Sequence, residues 1–448
     1  MSSRNTSKSH VFRRAKAPLM LERGSGIYVW DINGKKYIAG SSGPLCVNIG
    51  YGVEEITEAI IEQMKKIAFV HDLAFTSEPM EKLADKIAEM APGSLERIFF
   101  CSGGSEATES AIKMARQYSV EKGKSSKYKV ISRWMSYHGN TLGALSVSGH
   151  ILRRKKYLPL LLDFTHIPPA YCYRCWFGKE YPSCDLDCAW TLEKAIKTLG
   201  CEHVSAFIAE PIVGAALGTV PAPNDYFKVV REICDKYDVL LIVDEVMTGF
   251  GRTGKNFGIQ HYGVVPDIMV CSKGISGGYT PLGAVVATAE IYEAFKETPF
   301  QHGFTFGGNP VSCAVCLAVL EYISNNNLVS RSEVMGKRLF EKLRRLYDHS
   351  TVGDIRGKGL FAGIEFVKDR DTRKIFDADI DFRGKVLEKC LEMGLLVYSG
   401  TPVIEGFLGD TIQVAPPLIA REEQIDEIVK ILDRSVGDVE TKVVASHT

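Results

Sequence analysis

The chain has no excess of charge of either sign: over 448 residues, 54 Lys and Arg balance 54 Asp and Glu. It therefore lacks the basic footprint that nucleic acid or an anionic membrane demands. Long apolar runs are missing too. "YLPLLL" and "VLLIV" fall far short of the roughly 20 residues that cross a bilayer. The first residues, "MSSRNTSKSHVFRRAKAP", contain no apolar core of the kind a secretory signal carries. No internal repeat or low-complexity linker interrupts the sequence. These absences lead to the expectation of a cytoplasmic protein that engages neither membrane nor nucleic acid.

Cysteine, by contrast, is plentiful at twelve residues. Cys46, Cys101, Cys201, Cys234, Cys271, Cys313, Cys316 and Cys390 sit among apolar neighbours and read as small core residues. The other four, Cys172, Cys175, Cys184 and Cys188, share the stretch "YCYRCWFGKEYPSCDLDC". Its C-x-x-C half suits zinc, whereas the following gaps of eight and three residues are less typical. A reduced or disulfide-stapled surface loop, a zinc knuckle and a redox switch all remain open. Any metal there would be structural, and none is assigned to the chemistry.

"GIYVWDINGKKYIAG" alternates polar and apolar residues about Asn33-Gly34, a hairpin signal. Beyond it, "RIFFCS", "YKVISRW", "VSAFIAEP", "VLLIVDEV" and "DIMVCSK" read as buried strands, with helical patterns such as "SEATESAIKMARQYSVEKG" and "DYFKVVREICDKYD" between them. This alternation predicts a mostly parallel α/β sheet covered by helices. The last hundred residues mix helices and strands as a smaller α+β lobe, which the N-terminal hairpin would join. The expected division is 1–60 with 332–448 as the small domain and 61–331 as the large one.

Chemistry-bearing residues gather at the ends of these strands. "PDIMVCSKGISGGYTPLGAVV" places Lys273 after a buried strand among small residues. Such a lysine either emerges into solvent or is held in a pocket, where burial lowers its pKa and lets it attack a carbonyl. "FFCSGGSEATESAIKMAR" is a strand, a small-residue turn and a helix, so Gly103, Gly104 and Ser105 form either a tight turn or an anion site at a helix N-terminus. Asp244 and Glu245 end the strand of "LLIVDEVMTGFGRTG". The same segment contains Gly249-x-Gly251-x-x-Gly254, but no convincing helix follows, which weighs against dinucleotide binding. Tyr137 and His138 precede Gly139 at another strand end, where a ring could stack on a planar ligand. "HGFTFGGNPVSCA" is a further small-residue turn, with the hydroxyl of Thr305. An anion site, a carboxylate, an aromatic plate and a crowded lysine are together what pyridoxal 5'-phosphate requires.

"LLIVDEVMTGFGRTG", "PDIMVCSKGISGGYTPLGAVV" and "FTFGGNP" closely resemble the class III (omega) aminotransferases, fold type I of the pyridoxal-phosphate enzymes. The resemblance runs from "GSGIYVWDINGKKYIAG" to "TIQVAPPLI". It implies that Lys273 bonds the cofactor covalently and shuttles protons, while Asp244 pairs with the pyridine nitrogen. Val246 and Tyr137 would sandwich the ring, and Gly104 and Ser105 would bind the phosphate. Glu210 and His138 would support the site, and Thr305 would reach the phosphate of a neighbouring subunit in a homodimer or tetramer. The implied reaction moves an amino group from a primary amine or omega-amino acid to pyruvate or a similar small keto acid. A lyase or decarboxylase on the same scaffold, a 2-oxoglutarate-using enzyme and a catalytically silent scaffold are the alternatives.

Three departures from the family bear on the substrate. Ala215 stands where ornithine- and 4-aminobutyrate-type members carry a gating glutamate. Near Gly406, where amine:pyruvate members carry a mobile arginine, no arginine lies between Arg383 and Arg421, and Glu405 adds a negative charge. Leu45 occupies an expected pocket-wall position that is more often aromatic.

Overall fold

In the computed structural model, which describes residues 10–12, 19–404 and 406–445, sixteen strands fall into four sheets among the described residues. The first sheet is antiparallel: β1 (Leu21–Ser25), β2 (Tyr28–Asp31) and β3 (Lys36–Ile38). The β2–β3 turn falls at Asn33-Gly34. Gly34 takes φ 81°, and Asp31 Oδ1 accepts the N–H groups of Asn33 and Lys35.

The strands that follow are β4 (Leu95–Cys101), β5 (Lys129–Arg133), β6 (Thr165–Ile167) and β7 (Val204–Ala209), then the ribbon β8 (Ile212–Val213) and β9 (Val220–Pro221). After them come β10 (Leu240–Asp244), β11 (Ile268–Cys271) and β12 (Gly283–Thr288). Seven build the central sheet in the order β4-β12-β11-β10-β7-β5-β6, with β12 antiparallel to both neighbours and the rest parallel. Successive side chains point to opposite faces, and both faces are apolar. Ile208, Ile242, Val270 and Val285 pack against Ala107, Ala111, Met114 and Ala115 of helix Gly104–Glu121. Phe207, Leu241, Val243 and Met269 share the opposite core with helices Asp187–Leu199, Tyr226–Tyr237 and Pro310–Asn325. Each such side chain contributes about 1.5–3 kcal/mol when fully buried.

The last sheet, β13 (Val352–Lys358), β14 (Phe361–Phe366), β15 (Tyr398–Ser399) and β16 (Asp410–Val414), is antiparallel in the order β13-β14-β16-β15. The first sheet joins the C-terminal region through backbone bonds: Ile38 N–H to Gly394 O at 2.8 Å, Leu396 N–H to Ile38 O at 2.9 Å and, just beyond β3, Ala415 N–H to Gly40 O at 2.8 Å. Among the described residues no helix is long and apolar enough to cross a membrane.

The cysteines require one correction. Six of the eight expected in the core are buried, but Cys201 is exposed and Cys46 only half-buried. Cys201 opens a short 3-10 turn after Gly200 at the sheet's rim, where apolar sequence neighbours do not imply burial.

Candidate active site

The parallel strands β4, β5, β7, β10 and β11 all end at one rim, the edge where open α/β sheets place their ligands. The chain leaving each strand supplies part of the wall of one cavity of about 220 Å³: Gly104 and Ser105 after β4, Tyr137 and His138 after β5, Glu210 after β7, Asp244 and Val246 from β10, Ser272 and Lys273 after β11. Eight of the nine expected cofactor-binding positions therefore share one cavity. The ninth, Thr305, is exposed on the turn before helix Pro310–Asn325 and does not line it.

Lys273 opens a 3-10 turn with φ +47°, a left-handed conformation that costs a non-glycine residue about 1–3 kcal/mol. The next residue explains the crowding, since a Cβ on Gly274 would lie 2.5 Å from Asn48 Nδ2. Lys273 is half-buried and lines the cavity. Burial lowers its pKa below the usual lysine value, against the opposing pull of the Asp244 and Glu210 carboxylates.

Asp244 is 3 % exposed. Its Oδ2 lies 2.7 Å from His138 Nδ1, and its Oδ1 accepts the Val246 N–H at 2.9 Å. His138 Nε2 is buried without a hydrogen-bond partner among the described residues, 3.9 Å from Glu210 Oε2. Glu210 Oε1 accepts the Tyr137 N–H at 3.1 Å, whereas Oε2 has no hydrogen bond among the described residues and lies 3.6 Å from Arg133 Nη2. Burial raises the Glu210 pKa, with His138 and Arg133 opposing.

Helix Gly104–Glu121 begins at Gly103, whose extended backbone brings no side-chain cap. The first-turn N–H groups are thus available to an anion. A Cβ on Gly104 would sit 3.2 Å from both Val246 methyl carbons, so a larger residue there would press into the wall.

These groups fit pyridoxal phosphate. A neutral-tending amine faces a cavity whose other sides offer a carboxylate, an aromatic ring, uncapped helix N–H groups and buried polar atoms without partners. When bound, such a cofactor supplies an electron-accepting ring that stabilises negative charge at the substrate Cα.

Sequence reasoning missed several wall residues, among them Ile212, Gly214 and Met247. It also missed Arg133, which is 1 % exposed and donates to Glu210 O at 2.6 Å. A charged residue inside the buried strand of "YKVISRW" was the available signal. Leu45 needs correcting: it is buried against Ile212, Phe361 and Ala415, beside Met247, and so backs the wall instead of facing the cavity. Ala215 is buried, its carbonyl accepting the Thr401 N–H at 2.9 Å. Glu405 lies outside the described residues.

In the cysteine loop, Cys184 is buried, Cys175 and Cys188 are half-buried and Cys172 is exposed, all as free thiols around a small crevice. Among the described residues no group of three or more His, Cys, Asp or Glu is arranged to hold a metal.

The aminotransferase class-III family model matches residues 11–436. The chain belongs to this family. An uncharacterised aminotransferase of Bacillus subtilis, YodT, is 39% identical over 93% of this chain and 94% of its own length. Putrescine–pyruvate aminotransferase of Pseudomonas aeruginosa is 36% identical over 96% of this chain and 93% of its own length. The solved omega transaminase of Pseudomonas jessenii in complex with PMP superposes with a TM-score of 0.92 at 34% identity, covering 98% of both chains. This class-III enzyme thus has the fold type I architecture expected of a pyridoxal-phosphate-dependent aminotransferase, and the cavity at its strand ends is the candidate active site.

Proposed function

We propose that this aminotransferase moves an amino group from a primary amine or omega-amino acid to pyruvate or a similarly small 2-keto acid. The observation that carries this reading is the cavity wall. Among its described lining residues Lys273 is the only lysine or arginine, so nothing there offers a fixed cation to a second carboxylate. An unpaired buried carboxylate costs several kcal/mol, which disfavours a dicarboxylic acceptor. The putrescine–pyruvate relative supports a donor of the primary-amine class.

In this reading Lys273 Nζ, whose pKa burial lowers, is the nucleophile and the proton carrier. Asp244 holds a proton on the ring nitrogen of the bound cofactor, and His138 fixes the Asp244 carboxylate. The uncapped N–H groups at Gly104 and Ser105 bind the phosphate. Tyr137 and Val246 define the plane between them, and Glu210 supports the Tyr137 backbone.

Thr305 is assigned to a neighbouring subunit's phosphate, with the enzyme an obligate homodimer. Its exposed turn adjoins Phe306 (62 % exposed), whose ring packs on Phe69, with Leu73 (86 %) and Phe75 (66 %) exposed close by in sequence to Phe69. Apolar side chains left bare at this density suit a subunit interface. The residue divisions 1–60 with 332–448, and 61–331, are retained as the two lobes.

Incubating purified enzyme with a panel of primary amines and pyruvate, and measuring alanine, tests the reaction. Alanine formation is expected with at least one amine; none from any donor would overturn the reading. A fully active monomer in sedimentation would overturn the shared site.

A further inference from the structure

Helix Ile151–Arg154 is one turn long and carries two arginines with different surroundings. Arg154 is buried, and its Nη1 donates to the carbonyls of Leu145, Ser146 and Ser148 at 2.7–2.9 Å. Its donors hold the backbone. Arg153 is half-buried and lies over the cavity-wall tyrosine: its guanidinium carbon is 4.5 Å from the Tyr137 ring centroid, and Nη1 is 3.4 Å from Tyr137 Oη. Among the described residues no carboxylate lies within ion-pair distance of Arg153. Tyr137 engages one edge donor, Nη1, and the remaining guanidinium N–H groups have no carboxylate partner among the described residues, so they can serve a carboxylate brought in by a ligand.

The neighbouring segment closes off another source of charge. Gly406 has φ +71°, and a Cβ there would meet Ile151 Cβ at 3.0 Å. A side chain at 406 would be strained and pressed into the turn that carries Arg153. The charge of Arg153 is also felt inside the site, where it is among the groups that hold the Lys273 and His150 pKa values down.

We propose that Arg153 holds the carboxylate of the 2-keto acid acceptor, and of the amino acid formed from it, from the outer edge of Tyr137. This rests on the acceptor class proposed above. One guanidinium matches the single carboxylate of pyruvate, and a carboxylate-free amine donor needs no such partner. Arg153 is thereby a specificity-determining residue.

The test compares Arg153→Met, Arg153→Lys and unaltered holoenzyme, with one carboxylate-free amine as donor and either pyruvate or propanal as acceptor. Arg153→Met should lower kcat/KM for pyruvate by about tenfold or more, mainly through KM, as expected for loss of a charge-assisted pair. Propanal should be affected far less than pyruvate, and Arg153→Lys should restore part of the pyruvate loss. Calorimetric titration with propanoate should show weaker binding to Arg153→Met by a similar factor. Equal losses for pyruvate and propanal would mark Arg153 as a mere support for Tyr137, and no loss for either would remove it from the site; either result overturns the proposal. If unaltered enzyme prefers 2-oxoglutarate, the acceptor class fails while the comparison of acid with aldehyde still decides the role of Arg153.

Discussion

Glu210 and Glu365 are both buried acids beside arginines, yet they sit in opposite kinds of surroundings. Glu365, on β14, is fully buried with both oxygens engaged: it accepts from Tyr171 Oη, from Arg174 Nε at 2.5 Å and from Arg356 Nη1 at 2.7 Å. Those partners tie the cysteine loop and β13 to β14. Glu210 has one oxygen without a hydrogen bond among the described residues and stands at the cavity wall. Buried polar groups stabilise when paired and are costly when not. A fully paired carboxylate therefore marks a joint in the fold, and a partly paired one beside a cavity marks capacity for a ligand. Asp244 and Glu245, adjacent and each with both oxygens engaged, differ instead in the side they face. Glu245 turns away from the cavity to accept from Thr248 Oγ1 and from the Gly258 and Ile259 N–H groups, and burial pushes its carboxyl up to about 7. Asp244 faces the cavity.

The largest expected effects break the cavity side. Lys273→Ala should lose turnover altogether while still folding, because the only lysine among the described wall residues is gone. Borohydride reduction followed by mass spectrometry should find cofactor bonded to unaltered enzyme and none on the variant. Normal transamination by Lys273→Ala would sink the assignment. Asp244→Asn should remain folded and lose about 100-fold or more in kcat, since a neutral amide cannot hold a proton on a ring nitrogen. Activity within a few-fold of the original would remove Asp244 from that role.

On the other side of the comparison, Glu365→Gln leaves Arg174 and Arg356 without their shared charge. Breaking one partner of a buried pair costs about 3 kcal/mol or more. Denaturant unfolding should register that loss, and kcat per folded molecule should not change. A variant that unfolds like the original, or that loses rate at full stability, would erase the distinction between the two carboxylates.

The distinction was only half legible in the sequence. Lys273 and Asp244 could be found because each stands at the end of a buried apolar run, where a polar residue lies at the sheet's rim; Glu210 came only with the family resemblance. The uncapped helix at Gly104 was legible from the small-residue turn before an apolar stripe. Whether a buried acid was paired was not legible, since the partners of Glu365 come from positions 171, 174 and 356. Several strands were also missed, among them the short β6, β8 and β9, and the longer β12 and β13. β12 follows the glycine-rich turn after Lys273 without a polar break, and β13, "VGDIRGK", is charged and half-exposed, so it resembles a loop. From sequence Arg153 and Arg154 could be read only as two neighbouring arginines, either of which could swing in as a clamp; which one lies over Tyr137 depends on a tertiary contact.

A smaller effect should come from the cysteine loop, which shares the Glu365 joint through Tyr171 and Arg174. Burial pushes the Cys188 thiol up to about 12, which keeps it protonated and unreactive at neutral pH. Replacing Cys172, Cys175, Cys184 and Cys188 with serine should alter loop order or stability more than the rate of amine-to-cofactor transfer. Elemental analysis that finds one zinc per chain in the unaltered protein would instead make the loop a structural metal site.

The smallest expected effect sharpens the cavity side without altering the protein. If polar capacity at the wall ends with Lys273 and the groups around it, a second carboxylate on the acceptor finds no partner there, while a neutral methyl group loses nothing. Ala215 offers neither a gate nor a charge, and the backbone at Gly406 leaves no room for one. Pyruvate should therefore exceed 2-oxoglutarate by at least about tenfold in kcat/KM with a shared amine donor, roughly 1.4 kcal/mol at the transition state. Full desolvation of the second carboxylate would give a larger ratio, so tenfold is the least the geometry allows if the carboxylate stays partly hydrated at the cavity mouth. Equal efficiencies, or a reversed order, would mean that a cation beyond the cavity wall reaches the distal carboxylate. Arg153 would then be the first residue to replace, because it is the half-buried guanidinium stacked on Tyr137 at the wall.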